Sequence, residues 1–421
     1  MKRLMLLFLL IGQVALGQED TLSLSRCLEA VEVNHPGAGQ KRLIDQQTRL
    51  KIQNLKAQWY PNLDMNARVS YQSDIARIGV ELPFEADFPV PPKDQYQVTL
   101  DMNQMIYDGG SVEASRKVQK AGEQVEKQSV EVDLYEIKDQ VLEVYFSILL
   151  LDKQAAILES TREELEEKRR SVAAAVENGT LLPSDLKNIQ AELLKLEQNI
   201  EEVNAYVQSA YQVLSELTGL PVRPRASLKL PNVDTSLEGG FQRPENNLFQ
   251  LKAEHLEARK KVVQSQRLPK MSAFAQAGYG KPGLNMLGDE FDSFYLVGAR
   301  LTWKIWDWSS SQRERHILQV EQQRVDLQER SFNKGVKVQL ARIEAEIRQY
   351  RKAAIRDKKI VQLRREVSES AKSKLENGVI TSSDYLSELN QLTRARITQQ
   401  RHKIALQKAR LNYLFTQGIT P

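Results

Sequence analysis

The sequence is poor in residues that build disulfide frameworks and metal sites. Among 421 residues it has one cysteine, Cys27, so an internal disulfide is excluded. An arginine, Arg26, precedes it where a bacterial lipoprotein signal needs a small residue, and we interpret Cys27 as a buried structural thiol. The four histidines are scattered, with no cysteine or carboxylate partners at metal-ligand spacing. We therefore expect no metal and no other cofactor.

Motifs of enzymatic chemistry are also missing. The sequence has no Walker loop and no Gly-x-Ser-x-Gly nucleophile elbow. One Gly-x-Gly-x-x-Gly match begins at Gly278, but Pro282 and the residues after it do not open a helix. We interpret this segment as a hairpin loop and expect that the protein is not an enzyme.

A strong excess of one charge sign is missing too. The 59 Lys and Arg residues nearly balance the 55 Asp and Glu residues, which leaves a formal net charge of +4. The two signs are interleaved, as on the solvated faces of helices. Without a basic stripe, a nucleic-acid partner is not expected.

Long hydrophobic runs are confined to the N-terminus. "MKRLMLLFLLIGQVALGQE" has two basic residues, an apolar run and small residues near Gly17, which predicts a secretory signal peptide at residues 1–17. Beyond it, no stretch approaches the ~18 apolar residues of a membrane-spanning helix. The sequence thus predicts an exported chain without a helical membrane anchor.

The sequence contains an internal duplication. "ENGTLLPSDL" at 177–186 is repeated as "ENGVITSSDY" at 376–385, and the same offset places "IYDGGS" (106–111) on "IWDWSS" (305–310). Such self-similarity indicates that one structural unit was copied.

The duplication predicts three parts after the signal peptide. The first repeat is 18–219, a proline-rich linker is 220–243, and the second repeat is 244–421. Each repeat is expected to contain a helix, two strands, a long helix, a tip turn and a last helix. The tip turns are predicted at 177–183 and 376–382, where Asn-Gly is a helix C-cap signal.

The long helices, predicted at 111–176 and 310–375, carry apolar residues at alternating steps of three and four. This is the spacing of a coiled-coil seam. At ~1.5 Å per residue, about 66 residues would span ~100 Å. We expect each repeat to form a two-stranded helical rod.

The paired segments before each long helix alternate between apolar and polar residues. They lie at 63–72, 96–103, 271–279 and 295–304. A half-buried soluble sheet would show the same alternation, but nothing else in the chain is available to cover its apolar face. Lipid could cover that face, and several chains together could close the sheet into a barrel.

These features together resemble the TolC-like outer-membrane efflux proteins. The resemblance is carried by the signal peptide, "LSLSRCLEAVEVNHP" at 22–36, Tyr60–Pro61 before the first strand, the duplicated strand-strand-long-helix unit and the Gly-to-Asp spacing of the tip turns. It implies an α+β membrane protein and a homotrimer. Four strands per chain would form one twelve-stranded β-barrel that continues into a periplasmic α-helical tunnel of coiled-coil hairpins.

The resemblance also implies location, function and partners. The chain would be the channel subunit of a tripartite efflux or type I export system in the outer membrane of a Gram-negative bacterium. It would conduct small molecules or secreted substrates to the exterior. Its partners would be outer-membrane lipid, a periplasmic adaptor (membrane fusion) protein and an inner-membrane pump of the RND, ABC or MFS type.

The resemblance assigns roles to residues at the tip turns. Family members place carboxylates around the tunnel constriction at the position of Asp384 and one turn later, where this chain has Ser387. Asp185 is the counterpart of Asp384 in the first repeat. The alternative interpretation of both aspartates is helix capping, with Thr381 as the partner of Asp384. The tip turns themselves would be formed by Asn178, Gly179, Asn377 and Gly378.

A different class of function stays open at this stage. A periplasmic coiled-coil adaptor or scaffold without a pore would also contain helical hairpins. Adaptors usually carry one hairpin, whereas this chain has two, together with four alternating strands. A scaffold would wash off membranes, while a channel subunit would need detergent.

Overall fold

The computed structural model describes residues 22–75, 90–223, 226–231 and 242–420. The predicted signal peptide at 1–17 lies outside these residues, and the linker at 220–243 is described in part.

The described residues form seven helices and four strands. The first repeat contains α1 (Leu24–Asn34), a 3-10 turn (Pro36–Gly39), α2 (Gln40–Ala57), β1 (Asn62–Tyr71), β2 (Asp94–Tyr107), α3 (Ser111–Glu177) and α4 (Pro183–Thr218). The second contains α5 (Pro244–Ser265), β3 (Lys270–Lys281), β4 (Asp292–Thr302), α6 (Ser310–Glu376) and α7 (Ser382–Thr416). The predicted fold class, a duplicated strand-strand-long-helix-helix unit, is confirmed.

The chain divides into two compact units. One is built from residues 40–129 and 245–331 and holds the four strands. The other is built from residues 1–39, 130–244 and 332–421 and holds both tip turns. Among the described residues, none of the helices combines the length and the apolar character needed to cross a membrane.

The four strands form one antiparallel sheet in the order β1-β2-β3-β4. Met65 pairs with Leu100, Leu100 with Ala277, and Ala277 with Tyr295, so one apolar row crosses the whole sheet. Met65 and Tyr295 are 74 % and 76 % exposed. The sequence alternation therefore produces an apolar face that the described part of this chain leaves uncovered.

The opposite face of the sheet is polar on β1 and β2. Asp101 accepts hydrogen bonds from the side chains of Asn66 and Thr99, both at 2.8 Å, and from that of Gln276 on β3. The polar alternation of the sequence thus becomes a hydrogen-bonded network on one side of the sheet.

The helical unit has its core along the predicted seam. In α3 the seam positions Leu134, Val141 and Ile148 are buried. The buried face is wider than a two-stranded coiled coil requires, because Leu142, Tyr145, Phe146 and Leu149 are buried as well.

The added width of the buried face of α3 comes from packing of α1 and the linker. The Tyr145 hydroxyl lies 2.9 Å and 2.7 Å from the carbonyl oxygens of Leu22 and Lys229. Cys27 on α1 is buried and unpaired, as predicted, and burial raises the pKa of its thiol to about 12. These contacts fix the N-terminal segment and the linker on the helical unit.

Candidate functional site

The turn between α3 and α4 is a Schellman motif built on the first Asn-Gly. Gly179 has φ 71°, a left-handed conformation that suits glycine. Thr180 N–H donates to the carbonyl of Ala175 at 2.9 Å, and Gly179 N–H donates to that of Val176 at 3.0 Å. Asn178 and Gly179 thus end α3 by satisfying its last carbonyl groups.

The turn between α6 and α7 repeats this geometry. Gly378 has φ 67°. Val379 N–H donates to the carbonyl of Lys374 at 2.8 Å, and the Asn377 side chain donates to the carbonyl of Ser373, also at 2.8 Å. Asn377 and Gly378 therefore end α6 in the way that Asn178 and Gly179 end α3.

Asp384 caps its own helix. The Thr381 hydroxyl and N–H donate to Asp384 Oδ2 at 2.7 Å and 3.1 Å, and Asp384 N–H donates back to Thr381 Oγ1 at 3.3 Å. The hydrogen bond from the Thr381 side chain lowers the pKa of Asp384, which is exposed. Ser387, about one turn further along α7, is exposed too. Asp384 is therefore a charged, solvent-accessible group at neutral pH.

Asp185 has a different environment from Asp384. Its carboxylate is 7 % exposed and accepts the N–H of Leu182 at 3.2 Å through Oδ2. Its Oδ1 accepts the N–H of Ser382, the first residue of α7, at 2.9 Å. Asn188 adds a side-chain hydrogen bond to the Ser382 hydroxyl at 3.3 Å. Asp185 thus joins the first hairpin to the second.

The charge of Asp185 is kept despite burial. Burial alone would raise the pKa of this carboxyl, but the hydrogen bonds from Ser382 and Leu182 outweigh it and lower the pKa. A carboxylate near the first turn of both α4 and α7 also complements the positive ends of two helix dipoles. Asp185 is accordingly ionised at neutral pH.

Further polar contacts join the two hairpins. Lys168 on α3, 3 % exposed, donates to Glu376 Oε1 at 2.6 Å. Asn390 on α7 donates to Glu192 Oε1 on α4 at 2.8 Å. These bonds connect α3 with α6 and α4 with α7.

A small apolar core lies beside these links. Tyr385 is fully buried there, and the Lys168 ammonium lies 5.8 Å from the centre of its ring. Among the described residues, the Tyr385 hydroxyl has no hydrogen-bond partner. The rest of this core consists of Leu165, Val172, Ile189, Leu193, Ala371, Leu375, Leu386 and Leu389.

A groove of about 520 Å³ follows this core between α3, α4 and α7. Its lining mixes apolar side chains with Glu192, Lys195 and Arg394. Within the described ranges no group of three or more His, Cys, Asp or Glu side chains could hold a metal ion. The turn region offers hydrogen-bonding groups and charged side chains.

Sequence reasoning identified both aspartates and both Asn-Gly turns but missed Lys168 and Ser382. Ser382 acts through its backbone N–H, for which a side-chain pattern gives no signal. Lys168 stands among many charged residues of α3, and its burial depends on a helix about 200 positions away in sequence.

Comparison with protein families gives a match for the first repeat. Residues 33–220 match the model of the Outer membrane efflux protein family. The resemblance to outer-membrane efflux proteins is confirmed. No curated protein sequence matches the chain significantly.

Solved structures share the fold over nearly the whole chain. CusC has 14 % sequence identity and a TM-score of 0.70, with 94 % of this chain and 92 % of CusC covered. A membrane protein from Pseudomonas aeruginosa has 15 % identity and a TM-score of 0.70, with 94 % and 90 % covered. The outer membrane protein VceC from Vibrio cholerae has 13 % identity and a TM-score of 0.68, with 94 % and 96 % covered. At such identities the similarity establishes the fold, and it includes the second repeat.

Proposed function

We propose that this chain is the subunit of an efflux channel in the outer membrane of a Gram-negative bacterium. The observation that carries the proposal is the four-stranded sheet, which in the described part of the chain has one exposed apolar face and two unpaired outer edges, at β1 and β4. Unpaired strand edges and an uncovered apolar face are both unfavourable in water. Lipid can cover the apolar face, and pairing with strands of another chain can satisfy the edges. The match to outer membrane efflux proteins supports the same function.

The sheet closes when β1 of one chain pairs with β4 of the next. Four strands are too few for a membrane barrel, so the chain must oligomerise. The family resemblance supports three chains, which together give twelve strands. The apolar row through Met65, Leu100, Ala277 and Tyr295 then faces lipid, and the network around Asp101 faces the lumen.

The helices extend this channel across the periplasm as a tunnel. Substrates, either small molecules or secreted ones, enter from the periplasm or from an inner-membrane pump of the RND, ABC or MFS type. A periplasmic adaptor protein docks at the tip turns and connects the channel with the pump. No catalytic group takes part, and the partner pump supplies the energy.

The tip turns act as the gate of the tunnel. Asp384, exposed and ionised, contributes to the constriction as a ring of three carboxylates, with Ser387 uncharged at the next turn. Asp185 serves as a link between the two hairpins of one chain. Opening is a shift between two packings of the hairpins, which adaptor binding favours.

Edge pairing can be tested by disulfide cross-linking in a Cys27→Ser background. Cysteines are placed in pairs along β1 and β4, for example at Ala67 and Ala299, and the register is scanned. The proposal predicts cross-linked dimers and trimers and no larger species in membranes, together with retention after a carbonate wash. A washable protein without cross-links at any register would favour a scaffold without a pore.

A further inference from the structure

Both tip turns expose a chemically labile pair of residues. Asn178 and Gly179 are exposed in the first turn, and Asn377 and Gly378 are exposed in the second. When glycine follows asparagine, the backbone nitrogen of the glycine can attack the side-chain carbonyl carbon of the asparagine, because glycine has no Cβ to hinder the approach. Each turn is therefore a place where the chain can modify itself with water as the co-reactant.

The reaction in question is deamidation through a cyclic imide. In the first turn, the Gly179 nitrogen would form a bond to Asn178 Cγ, the Cγ–Nδ2 bond would break, and the amide would leave as ammonia with the proton of the Gly179 N–H. Water then opens the five-membered imide at either of its carbonyl carbons. One opening gives aspartate, and the other gives isoaspartate, in which the main chain runs through the former side chain.

The two turns protect their glycine nitrogens equally. Gly179 N–H donates to the carbonyl of Val176 at 3.0 Å, and Gly378 N–H donates to the carbonyl of Leu375 at 3.0 Å. A nitrogen held in this way attacks only after the turn has opened locally. Because the two bonds are alike, they do not favour reaction in one turn over the other.

The asparagine side chains, in contrast, are held differently. Asn377 Nδ2 donates to the carbonyl of Ser373 at 2.8 Å, which fixes the amide against the last turn of α6. Within the described ranges, no hydrogen bond holds the amide of Asn178. The amide of Asn178 is thus free to rotate towards Gly179 whenever the turn opens, whereas that of Asn377 must first leave Ser373.

We propose that Asn178 is a site of spontaneous deamidation in the folded protein and that it reacts faster than Asn377. The net contribution of one hydrogen bond corresponds to a factor of about 2 to 10 in an equilibrium. The rate at Asn178 should exceed the rate at Asn377 by this factor. The reaction depends on the turn itself and is independent of the proposed function of the chain.

Deamidation at Asn178 would loosen the first tip turn. The N–H and the hydroxyl of Thr180 both donate to the carbonyl of Ala175, at 2.9 Å and 2.8 Å, and these bonds close the end of α3. Isoaspartate adds an atom to the main chain before Gly179 and displaces Thr180 from this carbonyl. The product carboxylate also lies beside Glu177, at the negative end of the α3 dipole, where a further negative charge is unfavourable.

The second tip turn would feel the same change. The carbonyl oxygen of Thr180 faces Gly378, where an added Cβ would lie 3.9 Å from that oxygen. A displacement of Thr180 therefore reaches the turn between α6 and α7. Deamidation of one exposed asparagine in the first repeat is thus positioned to alter both turns of the chain.

Peptide mass spectrometry can follow both sites in one sample. Trypsin releases Asn178 in the peptide 171–187 and Asn377 in the peptide 375–394. The full chain, folded in detergent, is incubated at mildly alkaline pH, and aliquots are digested over several days. The aliquot taken at the start corrects for deamidation during digestion. The same time course in guanidinium chloride gives the rates of the unfolded chain.

We expect aspartate and isoaspartate to accumulate about 2 to 10 times faster at Asn178 than at Asn377 in the folded protein, and at similar rates in guanidinium chloride. Equal rates in the folded protein, or faster reaction at Asn377, would overturn the proposal. Two intact amides in the folded protein, while the unfolded chain reacts, would overturn it as well. The same preference for Asn178 in the unfolded chain would show that the fold does not cause it.

Two variants test the effect on the turn. Asn178→Gln keeps an amide on a side chain one methylene longer, which cyclises much more slowly, and Asn178→Asp reproduces the aspartate product. Incubation should accelerate hydrogen exchange at the Thr180 amide in the wild type and leave it unchanged in Asn178→Gln. Asn178→Asp should exchange faster than the fresh wild type from the start. Conversion at Asn178 without faster exchange at Thr180 would overturn the loosening of the turn.

Discussion

Asp185 Oδ1 accepts the backbone N–H of Ser382 at 2.9 Å. The carboxylate belongs to the first turn of α4, and the N–H belongs to the first residue of α7. One side chain thus caps the helix that follows the other tip turn, and it is buried while it does so. This bond joins the two hairpins of a chain beside their tip turns.

Asp185→Ala should loosen the start of α7. The change leaves the buried N–H of Ser382 without its acceptor, which costs about 1–3 kcal/mol. The backbone amide hydrogen of Ser382 should therefore exchange with solvent faster, by the factor to which this free-energy loss corresponds. The matched control is Asp384→Ala, which removes the local Thr381 contacts and leaves the Asp185 bond intact. Equal exchange at Ser382 in the wild type and in Asp185→Ala would contradict the link.

The link should weaken in acid. Hydrogen bonds lower the pKa of Asp185 in the folded chain below its unfolded value, so its ionised form stabilises the fold above the unfolded pKa of ~4. That contribution is lost as the pH falls through the lower folded pKa. The difference in thermal midpoint between wild type and Asp185→Asn should therefore be constant near neutral pH and shrink below ~4. A difference that is independent of pH would show that the charge is not involved.

The Lys168–Glu376 pair should respond asymmetrically to substitution. Glu376→Gln leaves the ammonium of Lys168, which is 3 % exposed, without its anion, and should cost about 1–3 kcal/mol. Lys168→Met leaves Glu376 unpaired, but that carboxylate is 48 % exposed, and the cost should stay below about 1 kcal/mol. The thermal midpoints of the two variants show whether Glu376→Gln destabilises the protein more than Lys168→Met does. The reverse order would mean that Lys168 reaches solvent in the assembled protein.

Tyr385→Phe should not destabilise the turn region. The ring is fully buried, and its hydroxyl has no hydrogen-bond partner among the described residues, so its removal should be neutral or stabilise by about 1 kcal/mol. Tyr211→Phe is the matched control, because that hydroxyl lies 2.7 Å from the carbonyl oxygen of Ala226. Thermal unfolding should show a loss for Tyr211→Phe alone. A comparable loss in Tyr385→Phe would reveal a partner from a neighbouring chain.

Asp384→Ala should change ion conduction through the trimer. If Asp384 lines the constriction as proposed, removing its carboxylate from all three chains should lower the affinity of multivalent cations that block the channel and alter single-channel conductance. Asp384→Asn keeps the size of the side chain and isolates the effect of charge. Unchanged conductance and block in both variants would leave Asp384 with its capping role alone.

The helices and strands could be predicted from the sequence because residues close to their ends determine where they stop. Proline at Pro61 follows α2, and Asn-Gly ends both long helices, as the left-handed Gly179 and Gly378 show. Strand alternation likewise predicted which face of the sheet is apolar. These features depend on neighbours in sequence, so a pattern can reveal them.

The different environments of the two aspartates could not be predicted from sequence patterns. Asp185 and Asp384 occupy equivalent positions in the repeats, yet one is buried and the other exposed. A local difference exists, because Thr381 caps Asp384 whereas the aligned Leu182 has no side-chain acceptor. The partner of Asp185 nevertheless lies 197 positions away, and only the packing of the hairpins brings it near.

Planar-bilayer recording of the purified oligomer tests the central claim most directly. If three chains form one channel gated at the tip turns, wild-type protein of trimer mass should give discrete conductance steps. Asp185→Ala should give larger or longer-lived steps, because the hairpins are less firmly joined. An oligomer that inserts into the bilayer but gives no steps, in either the wild type or Asp185→Ala, would contradict the account.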